Sequence, residues 1–302
     1  MHASTSTQKS AAFDQIYEKV PREQVARLKA FRLTHPYKQL IVGDTRWEYI
    51  SCGRGEQTLL LLPGALSVGE STFPLISAFE NEYRIIAPSY PLSLKMTALC
   101  AGLARILETE ALNQAHIMGG SYGGLVAQYF VRQYPYQSRS LILSHTFVLT
   151  SKLAKPLWIA GKLFPMFPQK LFASLLRIRL NKMLLSTLRA AKHPEAEFWR
   201  AYLEEAIASG LLKEVFIHQN KALLDLARQP RFTSDDLKAW PGRVLIIESD
   251  DDPAITSRDR ANLRSTYPNS QVHTFRDAGH ASSILKRAEV VSIIRSFIHN
   301  VV

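Results

Sequence analysis

The sequence predicts an α/β fold in which a mostly parallel sheet is flanked by helices and a helical cap is inserted between two late strands. Short apolar runs alternate with segments of helical period, and one interval of some ninety residues, 149–240, breaks that rhythm. A glycine-rich turn also joins a strand to a helix in mid-chain. With 302 residues, 46% of them apolar and 21% charged, the chain has the composition of a soluble globular protein with a sizeable core. That length fits one large α/β core carrying an insertion.

Residues 1–36 read as a small polar tail, Met1 to about Ser10, followed by helical periodicity from Ala11 to Leu33 with an interruption at Pro21. Lys38–Val42 and Arg46–Cys52 flank the turn Gly43-Asp44-Thr45 and read as a hairpin. Thr58–Leu62 is too continuously apolar for a half-exposed strand, so it reads as a buried one. Further strands are expected at Tyr83–Ala87, Ala115–Met118, Ser140–Ser144, Val244–Glu248 and Val272–Phe275. Helices are expected at about Ser71–Asn81, Leu94–Glu110, Gly124–Gln133, Thr256–Tyr267 and Ser282–His299. Alternation of this kind needs crossover connections and therefore a parallel sheet. The core is thus assigned to 37–148 and 241–302, and the cap to 149–240, where the periodicity is helical and prolines recur.

The chemistry begins at AHIMGGSYGGLVAQYF, where Gly119-Gly120-Ser121-Tyr122-Gly123-Gly124 lies between an apolar strand and an amphipathic helix. A strand that turns abruptly into a helix is crowded around its central residue, so it needs neighbours without a Cβ, which Gly119, Gly123 and Gly124 supply. This geometry lifts the Ser121 hydroxyl above the sheet edge, beside the free N–H groups of a helix N-terminus. A serine hydroxyl is a weak nucleophile on its own and needs a base, and the base needs an orienting carboxylate, in the order Ser, Asp, His. His280, in Asp277-Ala278-Gly279-His280 after the last strand, is the candidate base. The acid is sought among Asp250, Asp251 and Asp252 of ESDDDP, immediately after a buried strand. Asp252, directly before Pro253 and three residues after Ser249, is the first candidate because its place resembles that of the orienting aspartate in many α/β-hydrolases, with Asp250 next. The other aspartates there suit turn formation and capping of the helix near Thr256. Oxyanion donors are expected from the backbone N–H groups of Tyr122 and of Ala65 in PGAL, with Leu66 as the alternative.

In order and spacing, PGAL, YRIIAPSYP, HIMGGSYGG, ESDDDP and AGH resemble the α/β-hydrolase superfamily, from about Tyr37 to the C-terminus. Within it, RIIAPSYP, GGSYGG and SLILSHTF are most similar to the maspardin-like branch. Two positions depart from the common pattern: Ser89 stands where many relatives carry Asp, and Pro63 replaces a frequent histidine. The resemblance implies acyl transfer through an acyl-serine, because a serine at the elbow argues against the carboxylate-ester chemistry of dehalogenases and epoxide hydrolases. The expected activity is cleavage of a carboxylic ester, lactone or thioester of a small to medium apolar substrate, without a cofactor. The competing expectation is a hydrolase-like scaffold or ligand-binding protein of maspardin type.

The formal charge of +11 is uneven: from Lys152 to Arg189 there are eight Lys or Arg and no Asp or Glu. No zinc-finger spacing, recognition-helix motif or aromatic RNA-binding signature accompanies it, so nucleic acid is not the expected partner. The basic, apolar cap could roof an apolar pocket, with Trp158, Phe164, Phe167 and Phe172 as candidate walls, and could make weak peripheral contact with a membrane. His145 is placed near the pocket mouth, whereas His116, His218 and His273 lack ligand spacing, so no metal is expected. Two cysteines, Cys52 and Cys100, form no disulfide framework, and no signal-like or membrane-spanning run is present, so a cytoplasmic location is expected.

Overall fold

The computed structural model describes residues 12–92 and 95–300. The predicted tail Met1–Ser10, and Leu94 at the start of one predicted helix, lie outside these residues. The chain runs through α1 (Arg22–Thr34), β1 (Lys38–Val42), β2 (Thr45–Cys52), β3 (Thr58–Leu62), α2 (Phe73–Phe79) and β4 (Arg84–Ser89). It continues through α3 (Met96–Thr109), β5 (Ala115–Gly120), α4 (Tyr122–Gln133) and β6 (Ser138–Ser144). After β6 come α5 (Ala154–Leu163), α6 (Gln169–Leu180), a π-turn (Asn181–Leu185), α7 (Ser186–Ala190), α8 (Ala196–Ala208) and α9 (Leu212–Ala227). The sheet then resumes with β7 (Arg243–Ser249), α10 (Ser257–Thr266), β8 (Gln271–Phe275), α11 (Ser282–Leu285) and α12 (Arg287–His299).

The eight strands form one sheet in the order β1-β2-β4-β3-β5-β6-β7-β8. The β1–β2 hairpin joins β4 in antiparallel fashion, and every other pairing is parallel. Strand β3 is buried at all five positions because helices cover both of its faces. Its side chains divide with period two: Leu59 and Leu61 join a core with Phe73, Phe79, Phe198 and Phe297, while Leu60 and Leu62 join the opposite core with α3 and α4.

Helix α3 shows how sequence period becomes packing: Met96, Leu99, Cys100, Leu103, Ile106 and Leu107 recur at three- and four-residue steps and all are buried. Two predicted helices are shorter than their periodicity suggested. The one expected at Ser71–Asn81 is a 3₁₀ turn, Gly69–Thr72, followed by α2. That expected at Ser282–His299 breaks at Lys286, whose φ of −120° and ψ of 34° leave the helical region and separate α11 from α12. Capping near Thr256 is made by Asp259 rather than by an aspartate of the ESDDDP run. The Thr256 hydroxyl accepts from Asp259 N–H at 3.2 Å, and Asp259 Oδ2 accepts from Thr256 N–H at 3.1 Å.

The segment between β6 and β7 is helical, and Pro165, Pro168 and Pro194 fall between its helices or at their starts. Its α8 is tied to both ends of the chain. Glu195 accepts from Arg27 of α1 at 2.7 Å and from Arg287 of α12 at 2.5 Å. Arg32 of α1 bridges Glu70 and Glu205, and the Tyr202 hydroxyl also donates to Glu70. Among the described residues, no helix is long and apolar enough to cross a membrane.

Candidate active site

Ser121 is the residue between β5 and α4, with φ 52° and ψ −120°, in a region that an L-residue occupies only under strain. The strained backbone is fixed from two sides: Ser121 N–H donates to Ser144 C=O at 3.0 Å, and Thr146 Oγ1 donates to Ser121 C=O at 2.8 Å. The glycines permit the crowding. A Cβ on Gly119 would stand 2.2 Å from the Gly123 carbonyl oxygen, and one on Gly123 would stand 2.3 Å from that of Leu62. The elbow therefore closes on itself and on the end of β3, which brings the Gly64 loop beside it.

His280 follows β8 on a loop that returns to the elbow. Its Nδ1 donates to Asp252 Oδ2 at 2.8 Å, while Asp252 Oδ1 accepts from the N–H groups of Ala254 and Ile255 at 2.8 and 3.1 Å. A carboxylate can only accept, so the proton sits on Nδ1 and leaves Nε2 of the neutral ring as an acceptor. Burial by itself raises the Asp252 carboxyl, but the His280 hydrogen bond and charge and the Ala254 N–H bring it below its ordinary value. Asp252 is buried, whereas Asp250 and Asp251 are exposed.

The three aspartates thus do different things. Asp251 Oδ1 accepts from the N–H groups of Ala278 and Gly279, at 3.3 and 3.0 Å, and holds the loop that carries His280. Asp250 contributes backbone groups, its N–H donating to Phe275 C=O and its C=O accepting from Arg260. Nothing in the Asp-Asp-Asp run itself separates these roles, since they arise from the turn that aims successive side chains in different directions.

Ser121, His280, Ser144 and His145 line one cavity of about 210 Å³ with Gly64 and Gly120. Its apolar wall comes from Pro74 and Leu75 of α2, Met118 of β5, Trp199 of α8 and Ile284 of α11. Among the described residues, none of the expected walls Trp158, Phe164, Phe167 and Phe172 lines it. Phe172 instead packs with Leu176, Ile207 and Leu212 within the helical segment between β6 and β7, with Phe164 and Phe167 against it, and Trp158 is half exposed. Trp199 belongs to the aromatic group Phe198-Trp199-Arg-Ala-Tyr202, and that density of rings was the one sequence signal for it.

Ala65 and Tyr122 bracket the elbow. Among the loop and turn hydrogen bonds of the described residues, neither backbone N–H is engaged, and that of Tyr122 belongs to the first turn of α4, which has no intrahelical acceptor. The Ala65 carbonyl is held by Gln219 Nε2 of α9 at 3.0 Å, and Ser67 N–H closes the turn onto Gly64 C=O at 3.0 Å. The Tyr122 side chain points away from the cavity toward Tyr90, 6.0 Å between ring centres. Ser89, at the position that departs from the common pattern, accepts from Gly69 N–H at 3.0 Å and so anchors the end of the same loop.

His145 is buried beneath His280, with the two rings edge to face at 5.5 Å. Its nitrogens meet the hydroxyls of Ser144 and Ser249 at 3.0 and 2.9 Å. Burial, reinforced by the charge of His280, lowers its pKa to about 4, so it is neutral near pH 7. Of the other histidines singled out by the sequence, His116 is buried against Ser140 Oγ, His273 is near Glu289, and His218 lines a separate small cavity with Tyr90 and Gln219. His35, Cys52 and Glu80 lie close enough together to be considered as ligands, but His35 and Glu80 already form a 2.7 Å pair there.

Residues 59–293 match the model of the alpha/beta hydrolase family, and the chain belongs to that family. Within it, the chain resembles maspardin. It is 32% identical to maspardin of Pongo abelii over 271 residues, which cover 86% of this chain and 82% of the relative. It is also 24% identical to a poly(3-hydroxyalkanoate) depolymerase of Ectopseudomonas oleovorans over 264 residues, covering 80% and 83% of the two chains. Among solved structures, a thermophilic esterase from Thermogutta terrifontis superposes with a TM-score of 0.71 at 21% identity, covering 88% of this chain and 98% of the esterase.

Proposed function

We propose that the protein is a serine hydrolase that cleaves a carboxylic ester, lactone or thioester of a small to medium apolar substrate, with Ser121 as nucleophile, His280 as base and Asp252 as its orienting acid. The observation that carries the reading is the His280–Asp252 pair, at 2.8 Å, opening on the same cavity as the strained Ser121. In this mechanism His280 Nε2 takes the Ser121 proton as Oγ attacks the carbonyl carbon. The tetrahedral oxyanion is held by the N–H groups of Ala65 and Tyr122. Collapse expels the alcohol or thiol, which receives the proton from His280, and leaves an acyl-serine. Water, deprotonated by the same histidine, then attacks the acyl carbon, and collapse of this second intermediate breaks the bond to Ser121 Oγ, which takes the proton back from His280 as the acid leaves. Asp252 fixes the ring and offsets the imidazolium charge in both halves. No step requires a cofactor or metal. Cavity size and lining favour a modest apolar acyl group over a bulky or charged one.

The resemblance to maspardin supports a second reading, a hydrolase-like scaffold that binds a ligand without turnover. A fluorophosphonate probe separates the two. Expected is covalent labelling of folded protein at Ser121, abolished in Ser121→Ala and suppressed in His280→Ala, with ester turnover lowered at least about 10³-fold in either variant. Native protein that resists the probe while a known serine hydrolase reacts would favour the scaffold.

A further inference from the structure

The cap presents to solvent an apolar surface that its own core does not use. Of fifteen exposed large apolar side chains among the described residues, seven lie between Trp158 and Ile178. On α6 the division is sharp: Phe172 and Leu176 are buried, while Leu171, Leu175 and Ile178 recur at four- and three-residue steps and form a separate outward stripe. On α5, Leu157 is turned inward, its carbonyl accepting from Asn220 of α9 at 2.8 Å, and Trp158, Ile159 and Leu163 are exposed. Met166, in the turn between the two helices, is 76% exposed. Single exposed leucines are ordinary, but a run of this density on two consecutive helices is the mark of a surface that meets something.

The charges around these stripes say what it meets. From Lys152 to Arg189 the chain carries eight cations and no carboxylate. Arg177 is neutralised by Glu204 of α8 at 2.9 Å. Among the described residues, Lys155, Lys162, Lys170, Arg179 and Lys182 make no ion pair. A second copy of the chain would bring these like charges together, so self-association on this face is disfavoured. Exposed tryptophan and aliphatic side chains between unpaired lysines instead suit a layer that is apolar inside and anionic at its surface.

We infer that α5, α6 and the turn joining them dock the protein on an anionic phospholipid bilayer, Trp158, Met166 and Ile178 entering the headgroup–acyl boundary and the lysines pairing with lipid phosphates. This peripheral docking is independent of the chemistry assigned to Ser121.

The test uses the full chain with vesicles of phosphatidylcholine alone or of phosphatidylcholine mixed with phosphatidylglycerol. Expected is co-sedimentation with the mixed vesicles, weakening with salt, and a blue shift of tryptophan emission that is lost in Trp158→Phe. The triple variant Lys155→Glu, Lys162→Glu, Lys170→Glu is expected to bind at least about tenfold more weakly. Its circular dichroism and its Ser121 labelling should match those of the parent, which separates this test from that of the catalytic reading. Absence of sedimentation with mixed vesicles, equal retention on pure phosphatidylcholine, or undiminished binding of the triple variant would overturn the proposal. Tighter binding to polyglutamate than to mixed vesicles would also overturn it, by pointing to an acidic protein partner.

Discussion

At the scale of single residues, three adjacent aspartates with the same chemistry end in three environments. Only Asp252 is buried and touches His280, whereas Asp251 accepts from the backbone of the loop that carries His280 and Asp250 faces solvent. Asp252→Asn is therefore expected to lower ester turnover by about 10³- to 10⁴-fold, because an amide can stabilise the wrong tautomer and cannot offset an imidazolium. Asp250→Asn should leave turnover near that of the parent, and a large loss there in steady-state kinetics would reverse the two roles. His145 illustrates a second lesson of this scale. Its position after β6 was visible in the chain, but its work was not: two serine hydroxyls far apart in sequence hold it as a neutral platform against the ring of His280.

At the scale of elements, the sheet and its flanking helices were legible because the central strands carry short runs of buried apolar residues and helices such as α3 repeat apolar residues at three- and four-residue steps. The elbow was legible because its glycines answer local crowding. What escaped depended on contacts between distant segments. The break at Lys286 interrupts an otherwise unbroken helical pattern, and Trp199 rather than Trp158 lines the cavity because α8, not α5, packs over the site. Periodicity tells which side of a helix is apolar but not whether that side meets the core, a cavity or solvent. The elbow itself yields a sharp expectation. In Gly123→Ala the new methyl would stand 2.3 and 2.6 Å from the backbone oxygens of Leu62 and Pro63, which have no freedom to rotate away. The variant should lose about 1–3 kcal/mol of stability in denaturant titration and most of its probe labelling. Unchanged labelling would show that the elbow and the β3 loop need not touch.

At the scale of the molecule, two buried carboxylates join elements that the chain keeps apart. Glu110, at the end of α3, accepts from Lys38, Tyr49, Ser51 and Arg84 and so clamps three strands of the antiparallel edge. Burial opposes its ionisation, yet these four donors lower its pKa to about 2. Glu195 is likewise lowered to about 2, its burial outweighed by Arg287 and Arg27. Folding therefore favours the ionised forms, and the stability they add is complete above about pH 4.5 and lost as pH falls toward 2. Allowing for solvent screening of the half-exposed Lys38, Glu110 contributes on the order of 2 kcal/mol. Glu110→Gln should be less stable at pH 7 and show a flatter loss of melting temperature between pH 5 and 3, and a parallel curve would remove Glu110 from the acid response. Glu195 has one more consequence, in the order of assembly. Its two arginine partners lie 168 residues before it and 92 after it, so the junction closes only when the last part of the chain has arrived. The stretch that delivers Arg287 also delivers His280, so one late segment supplies both the second arginine of this junction and the imidazole that meets Asp252.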